Sequence, residues 1–142
     1  ITVSVHEELK ISISAQNFKS TAKIVKNNIQ DDLCLLKISN RRKQHPAYVA
    51  SYEPGIGEKV HYSGAPLGYM SDTSLLMFDG KYAGSHQQKS LFSLPCAPGA
   101  SGSGIRNEMG KIVSILQRVD ARFSRVCIGA TLKEVSKFLK SN

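Results

Sequence analysis

Residues 98–104 read Pro98-Gly99-Ala100-Ser101-Gly102-Ser103-Gly104, a density of small residues that a purely structural turn rarely requires. Glycine tolerates the backbone angles needed to turn two N–H groups toward one point, and small neighbours leave room for a substrate carbonyl. A serine in the middle can then attack that carbonyl while the amides hold the developing oxyanion. Taken alone, the heptapeptide serves equally well as a flexible Gly/Ser loop, so the surrounding sequence has to decide.

Outward from this loop the apolar segments are short and have period-two or continuous character. Ile11, Ile13 and Ala15 alternate in KISISA; TAKIV, LCLLKI, KVHYSG, SLLMF, KYAG, SLFSL, KIVSILQ and RVCIGA follow. Turn-prone stretches such as Glu53-Pro54-Gly55 and Asn107-Glu108-Met109-Gly110 separate them. Many short strands at this spacing fit a barrel or a sandwich. Only the end looks helical. Thr131-Leu132-Lys133-Glu134 has the spacing of a capping box, and Leu132, Val135, Phe138 and Leu139 recur on one face. The chain reads as all-β with a closing helix.

The 142 residues are 41% hydrophobic and 21% charged without a composition break, which suits one globular domain able to bury a core. Cys34, Cys96 and Cys127 are odd in number, widely spaced and free of any CxxC or Cys/His pairing, so neither a disulfide framework nor a metal site is expected. That usage points to an intracellular, reducing compartment. No membrane span or signal peptide is visible, and the start at Ile1 suggests a piece of something longer. The +8 net charge would draw the protein toward anions. It leaves room for weak nucleic-acid affinity, but no reader motif or basic-aromatic interleaving accompanies it, so a solvated face is the simpler reading.

The segments around the serine resemble a known family. Gly99 to Ile105, then Asn107 to Gly110, then Lys111-Ile112-Val113-Ser114-Ile115 is similar to the nucleophile loop, hairpin and following strand of chymotrypsin-like serine proteases. Asp32-Leu33-Cys34-Leu35-Leu36-Lys37 resembles the family's strand that carries the triad aspartate. Pro54 to Gly68 resembles a passage of HtrA-type members, and GATLKEVSKFL their last strand and helix. In order, these matches run from about Lys10 to Leu139. The nearest types are HtrA-like domains and the small serine proteases of RNA-virus polyproteins.

The resemblance implies a chymotrypsin-like double β-barrel with a C-terminal helix: residues 1–50 as an incomplete first barrel, 55–130 as the second, 131–141 as the helix. It implies a serine endopeptidase without cofactor or metal, acting on polypeptide, at a specific site in a polyprotein or on misfolded protein, and within the host cytoplasm if viral. Ser101 would be the nucleophile and the N–H groups of Gly99 and Ser101 the oxyanion hole. Asp32 would orient the base, while Asp31 would be an exposed turn residue and Ser103 a structural variant of a common glycine. Ile115, Leu116 and Gln117 would bind the substrate backbone as an added strand.

For the base, Thr2-Val3-Ser4-Val5-His6 is similar to the family's strand ending in histidine, 26 positions before Asp32. His45, His61 and His86 fit ordinary surface or packing roles. Only five residues precede His6, where the family spends two or more strands, so either an upstream segment or a partner chain completes the first barrel, or that barrel is reduced. Two other readings remain open: an inactive binding module of the same fold, and a basic nucleic-acid-binding barrel. The specificity pocket would have its floor at Leu94-Pro95-Cys96 and its walls at Ile115–Arg118 and Cys127–Ala130. With no acid on that floor, an apolar or small P1 residue is expected.

Overall fold

The computed structural model of the chain describes residues 11–15, 18–39, 45–71 and 73–141. The chain falls into two compact units divided between residues 44 and 45. The first contains an antiparallel sheet of β1 (Ile11–Ala15), β2 (Phe18–Asn28) and β3 (Leu33–Ile38), in that spatial order. Alternation sorts its faces: Ile11 pairs with Ala22, which is fully buried, whereas Lys23 and Lys37 stand opposite each other on the polar face. The β2–β3 turn is built by Asn28, whose side-chain oxygen accepts from the N–H groups of Gln30 and Asp31.

The second unit is a closed barrel of β4 (Lys59–Gly64), β5 (Leu76–His86), β6 (Lys89–Ser93), β7 (Gly104–Asn107), β8 (Ile112–Asp120) and β9 (Phe123–Gly129). Its strand order is β4-β5-β6-β9-β8-β7, and pairing of Val60 with Asn107 and His61 with Arg106 closes it. Tyr62, Phe92, Leu94, Ile105, Val113, Leu116 and Cys127 fill the interior. Residues 76–78 of SLLMF and the whole of KYAG, read separately in the sequence, lie in the single strand β5. Between them the pairing is continuous, and the skip between Tyr82 and Gly84 bends the strand without ending it.

Helix α1 (Leu132–Lys140) follows β9, with the expected capping box: Glu134 N–H donates to Thr131 Oγ1 and Thr131 N–H to Glu134 Oε2. Leu132, Val135 and Phe138 are buried, but Leu139, expected on the same face, is exposed. Lys89 on β6 reaches Glu134 at 3.0 Å. Among the described residues no helix is long and apolar enough to cross a membrane.

The cysteine reading needs correction. Cys96 and Cys127 form a disulfide across 31 positions, their Cα atoms 6.1 Å apart. Spacing conceals the pair because the sheet creates it: β6 and β9 are neighbours, and the segment after β6 stays alongside β9 through Leu94 N–H to Arg125 O and Cys96 N–H to Ser124 O. Cys34 is exposed and free. The expectation of a reducing compartment rested on unpaired cysteines and loses that premise.

Candidate functional site

The segment carrying Ser101 lies between β6 and β7, within the second unit. Its entry is held by the two bonds to β9 and by the Tyr62 hydroxyl, which donates to Pro95 O at 3.0 Å; burial pushes the Tyr62 phenol up. Two tight turns follow. Ala100 N–H donates to Ala97 O and Ser103 N–H to Ala100 O, both at 3.1 Å. Gly99 and Gly102 hold φ of 93° and 85°, where side-chain-bearing residues are strained. At Gly99 space also demands glycine: a Cβ would lie 3.0 Å from Ala65 O and 3.1 Å from Leu67 N.

Two carbonyls of the loop are anchored. Pro98 O accepts from Leu67 N–H at 2.7 Å, and Ala100 O from Ser103 N–H. In a trans peptide the carbonyl and the following N–H point in opposite directions, and no cis peptide occurs among the described residues. Anchoring Pro98 O and Ala100 O therefore sets the directions of the Gly99 and Ser101 N–H groups. Among the described residues neither of these N–H groups donates to a backbone carbonyl. Two open amides on restrained peptide planes beside a serine are what oxyanion binding requires.

Ser101 is exposed, and its hydroxyl donates to Gln117 O at 2.9 Å. Gln117 sits in a bulge: β8 pairs with β9 at Leu116–Gly129 and next at Arg118–Ile128. A bulge re-aims a strand locally, here presenting a carbonyl to the serine. Leu116 is buried, with its N–H bonded to Ser103 O and its carbonyl to Gly102 N–H; Ile115 O accepts from Ala130 N–H. Of the three β8 residues expected to take a substrate strand, Gln117 is the one whose carbonyl meets the serine. Ser103 is half-buried and packs on β4, where a Cβ at Gly64 would meet its Oγ at 2.6 Å.

Asp32 is the exposed residue directly before β3, with φ of 53°, a region aspartate tolerates better than most residues. Asp31 beside it belongs to the turn, accepting from Asn28 Nδ2 at 2.6 Å. His6 lies outside the described residues. His45 and His86 are exposed, and His61 is half-buried on β4 opposite Asp79. Among the described residues no cluster of three or more His, Cys, Asp or Glu side chains could hold a metal. Sequence reasoning missed Leu67, the bulge at Gln117 and the disulfide behind the loop. Nothing in the Pro66-Leu67-Gly68 tripeptide beyond a turn-prone composition signals that its middle N–H serves another segment.

No family model and no curated protein matches the chain. Solved structures do. A serine endoprotease from Yersinia pestis superposes with a TM-score of 0.78 at 19% identity, over 96% of this chain and 49% of that one. The Rv3671c protease of M. tuberculosis does so in its active form with a TM-score of 0.77 at 14% identity, over 90% of this chain and 61% of that one. Its inactive form gives 0.77 and 14%, over 92% and 71%. This chain therefore has the chymotrypsin-like fold, with a complete second barrel, a three-stranded sheet in the first unit and the closing helix.

Proposed function

We propose that the chain is a serine endopeptidase. The observation that carries this reading is the exposed Ser101 flanked by the open, restrained amides of Gly99 and Ser101. In the reaction, Ser101 Oγ attacks the scissile carbonyl carbon and its proton passes to His6. The two amides bind the oxyanion, and the protonated histidine then gives its proton to the leaving amine as the acyl-enzyme forms. Water repeats the sequence and releases the acid, with Asp32 holding the imidazole in its working tautomer. The substrate backbone adds along β8 from Gln117 outward. Behind the loop, Leu94 and the Cys96–Cys127 disulfide are buried in the core, which favours a small or apolar P1 residue. Processing at a defined site of a polyprotein fits such a narrow preference, and the division into residues 1–50, 55–130 and 131–141 remains our proposal for the domain layout.

The test is covalent labelling by a fluorophosphonate. Wild type should label at one site, Ser101→Ala should lose it, and Ser103→Ala should keep most of it. Persistent labelling of Ser101→Ala would assign the nucleophile elsewhere. One observation favours a second reading, a binding module without chemistry: the Ser101 hydroxyl is engaged with Gln117 O. On that reading the wild type does not label at all.

A further inference from the structure

We propose that Leu67 is a positioning residue for the oxyanion-binding amide: its N–H, presented by a left-handed turn, holds the Pro98–Gly99 peptide so that the Gly99 N–H faces the oxyanion. The inference rests on the reading of Ser101 as a nucleophile and extends it to a segment 31 positions upstream of Pro98.

Leu67 sits in a short 3₁₀ turn, Pro66–Gly68, with φ of 55° and ψ of 20°. A branched side chain in that region is disfavoured, and such conformations persist where the surroundings enforce them. Burial of the side chain does not enforce it, since Leu67 is 66% exposed. What the conformation achieves is seen in the backbone. Gly68 N–H donates to Ala65 O and Tyr69 N–H to Pro66 O, both within the turn, and Pro66 has no N–H to give. Only the Leu67 N–H leaves the turn, and it meets Pro98 O at 2.7 Å.

The need for that bond follows from the loop. Rotation of the Pro98–Gly99 peptide would exchange its two ends, putting the Pro98 carbonyl where an oxyanion must bind and withdrawing the Gly99 donor. Glycine at 99 does little to resist such a rotation. The second oxyanion peptide, Ala100–Ser101, is anchored from inside the loop by Ser103 N–H. The first has its anchor outside, and the missing Cβ of Gly99 lets the two backbones approach to make it.

The experiment replaces single backbone amides by esters. Substituting Leu67 by the corresponding α-hydroxy acid deletes its N–H and keeps its side chain. The same exchange at Tyr69 deletes a bond of the same turn that does not touch the loop. The Leu67 ester should lower the fluorophosphonate labelling rate and kcat by about tenfold or more, given that complete loss of one oxyanion donor costs about 10²–10³. KM and the inhibition constant of a cleaved-product peptide should stay within about twofold, because ground-state binding does not use the oxyanion site. The Tyr69 ester should label at the wild-type rate. Equal slowing by both esters would reduce Leu67 to a structural role, and wild-type labelling by the Leu67 ester would overturn the proposal outright. If wild type itself fails to label, the proposed function has failed, and residual dipolar couplings still decide this inference. The Gly99 N–H vector should reorient in the Leu67 ester and keep its direction in the Tyr69 ester; an unchanged vector in both refutes it.

Discussion

Gly99 and Gly102 have nearly the same backbone strain requirement and opposite steric surroundings, so alanine at each position separates strain from contact. At Gly102 (φ 85°) no atom lies within 4 Å of a built Cβ. Gly102→Ala therefore costs only the left-handed strain, about 1–2 kcal/mol, less several tenths regained from a stiffer unfolded chain. At Gly99 (φ 93°) the same strain is joined by contacts of 3.0 and 3.1 Å with Ala65 O and Leu67 N. Those partners are backbone atoms and cannot rotate aside. The loop must move off the turn, which stretches the 2.7 Å bond from Leu67 N–H to Pro98 O and forfeits about a further 1 kcal/mol. Gly99→Ala should thus lose about 2–3 kcal/mol in urea unfolding, or about 8–12 °C in Tm, against about 4 °C for Gly102→Ala. The kinetic contrast should be larger: a displaced Gly99 amide lowers the phosphonylation rate by about 10²–10³, and Gly102→Ala by far less. Equal kinetic losses in the two variants, or a wild-type rate in Gly99→Ala, would show that the Gly99 amide does not bind the oxyanion.

Asp32→Asn should reduce kcat by about 10⁴, as loss of the orienting acid does in the chymotrypsin template, whereas Asp31→Asn should be read in stability alone through its bond to Asn28. Thr131→Ala removes the cap from α1 and should cost about 1 kcal/mol in chemical denaturation. Gln87 and Gln88 form the two-residue β5–β6 hairpin loop with φ of 48° and 59°, so replacing them with Asn-Gly should stabilise the barrel by about 1 kcal/mol or more, seen as a raised Tm. A double variant, Cys96→Ala with Cys127→Ala, frees a loop spanning 31 positions and should lose about 3–4 kcal/mol. It should still label at 25 °C, because the Leu94 and Cys96 main-chain bonds to β9 do not depend on the sulfurs.

What the sequence disclosed was local. The capping box at Thr131 and Glu134 needs residues three apart, and the small-residue run around Ser101 is dictated within seven positions by backbone angles, so both could be read directly. Asp79 and Gly80, between SLLMF and KYAG, have turn-prone composition, yet pairing with β4 continues through them to Lys81. The disulfide and the Leu67 bond each join positions 31 apart. Neither leaves a periodic or compositional trace, because each is created when barrel strands and connections fall side by side. Leu139 illustrates the same point at smaller scale: helical period places it near the apolar stripe, but the nine-residue helix buries a narrower face.

The loop carrying Ser101 is restrained from three directions, all of them within the second unit. β9 holds its entry through Leu94, Cys96 and the disulfide; the 65–69 turn holds Pro98; β8 holds Gly102 and Ser103 through Leu116. The geometry of Ser101 and of the Gly99 and Ser101 amides is therefore set by restraints within the second unit. Asp32, the proposed acid, belongs to the first unit. In the proposed mechanism the oxyanion-binding amides and the orienting acid are thus carried by different units. On that proposal, loss of Asp32 would leave the amides in place, and in serine proteases the oxyanion hole and binding retain about 10³–10⁴-fold catalysis over water after loss of a triad member. The Ser101 hydroxyl itself rests on the β8 bulge of its own unit through its hydrogen bond to Gln117 O.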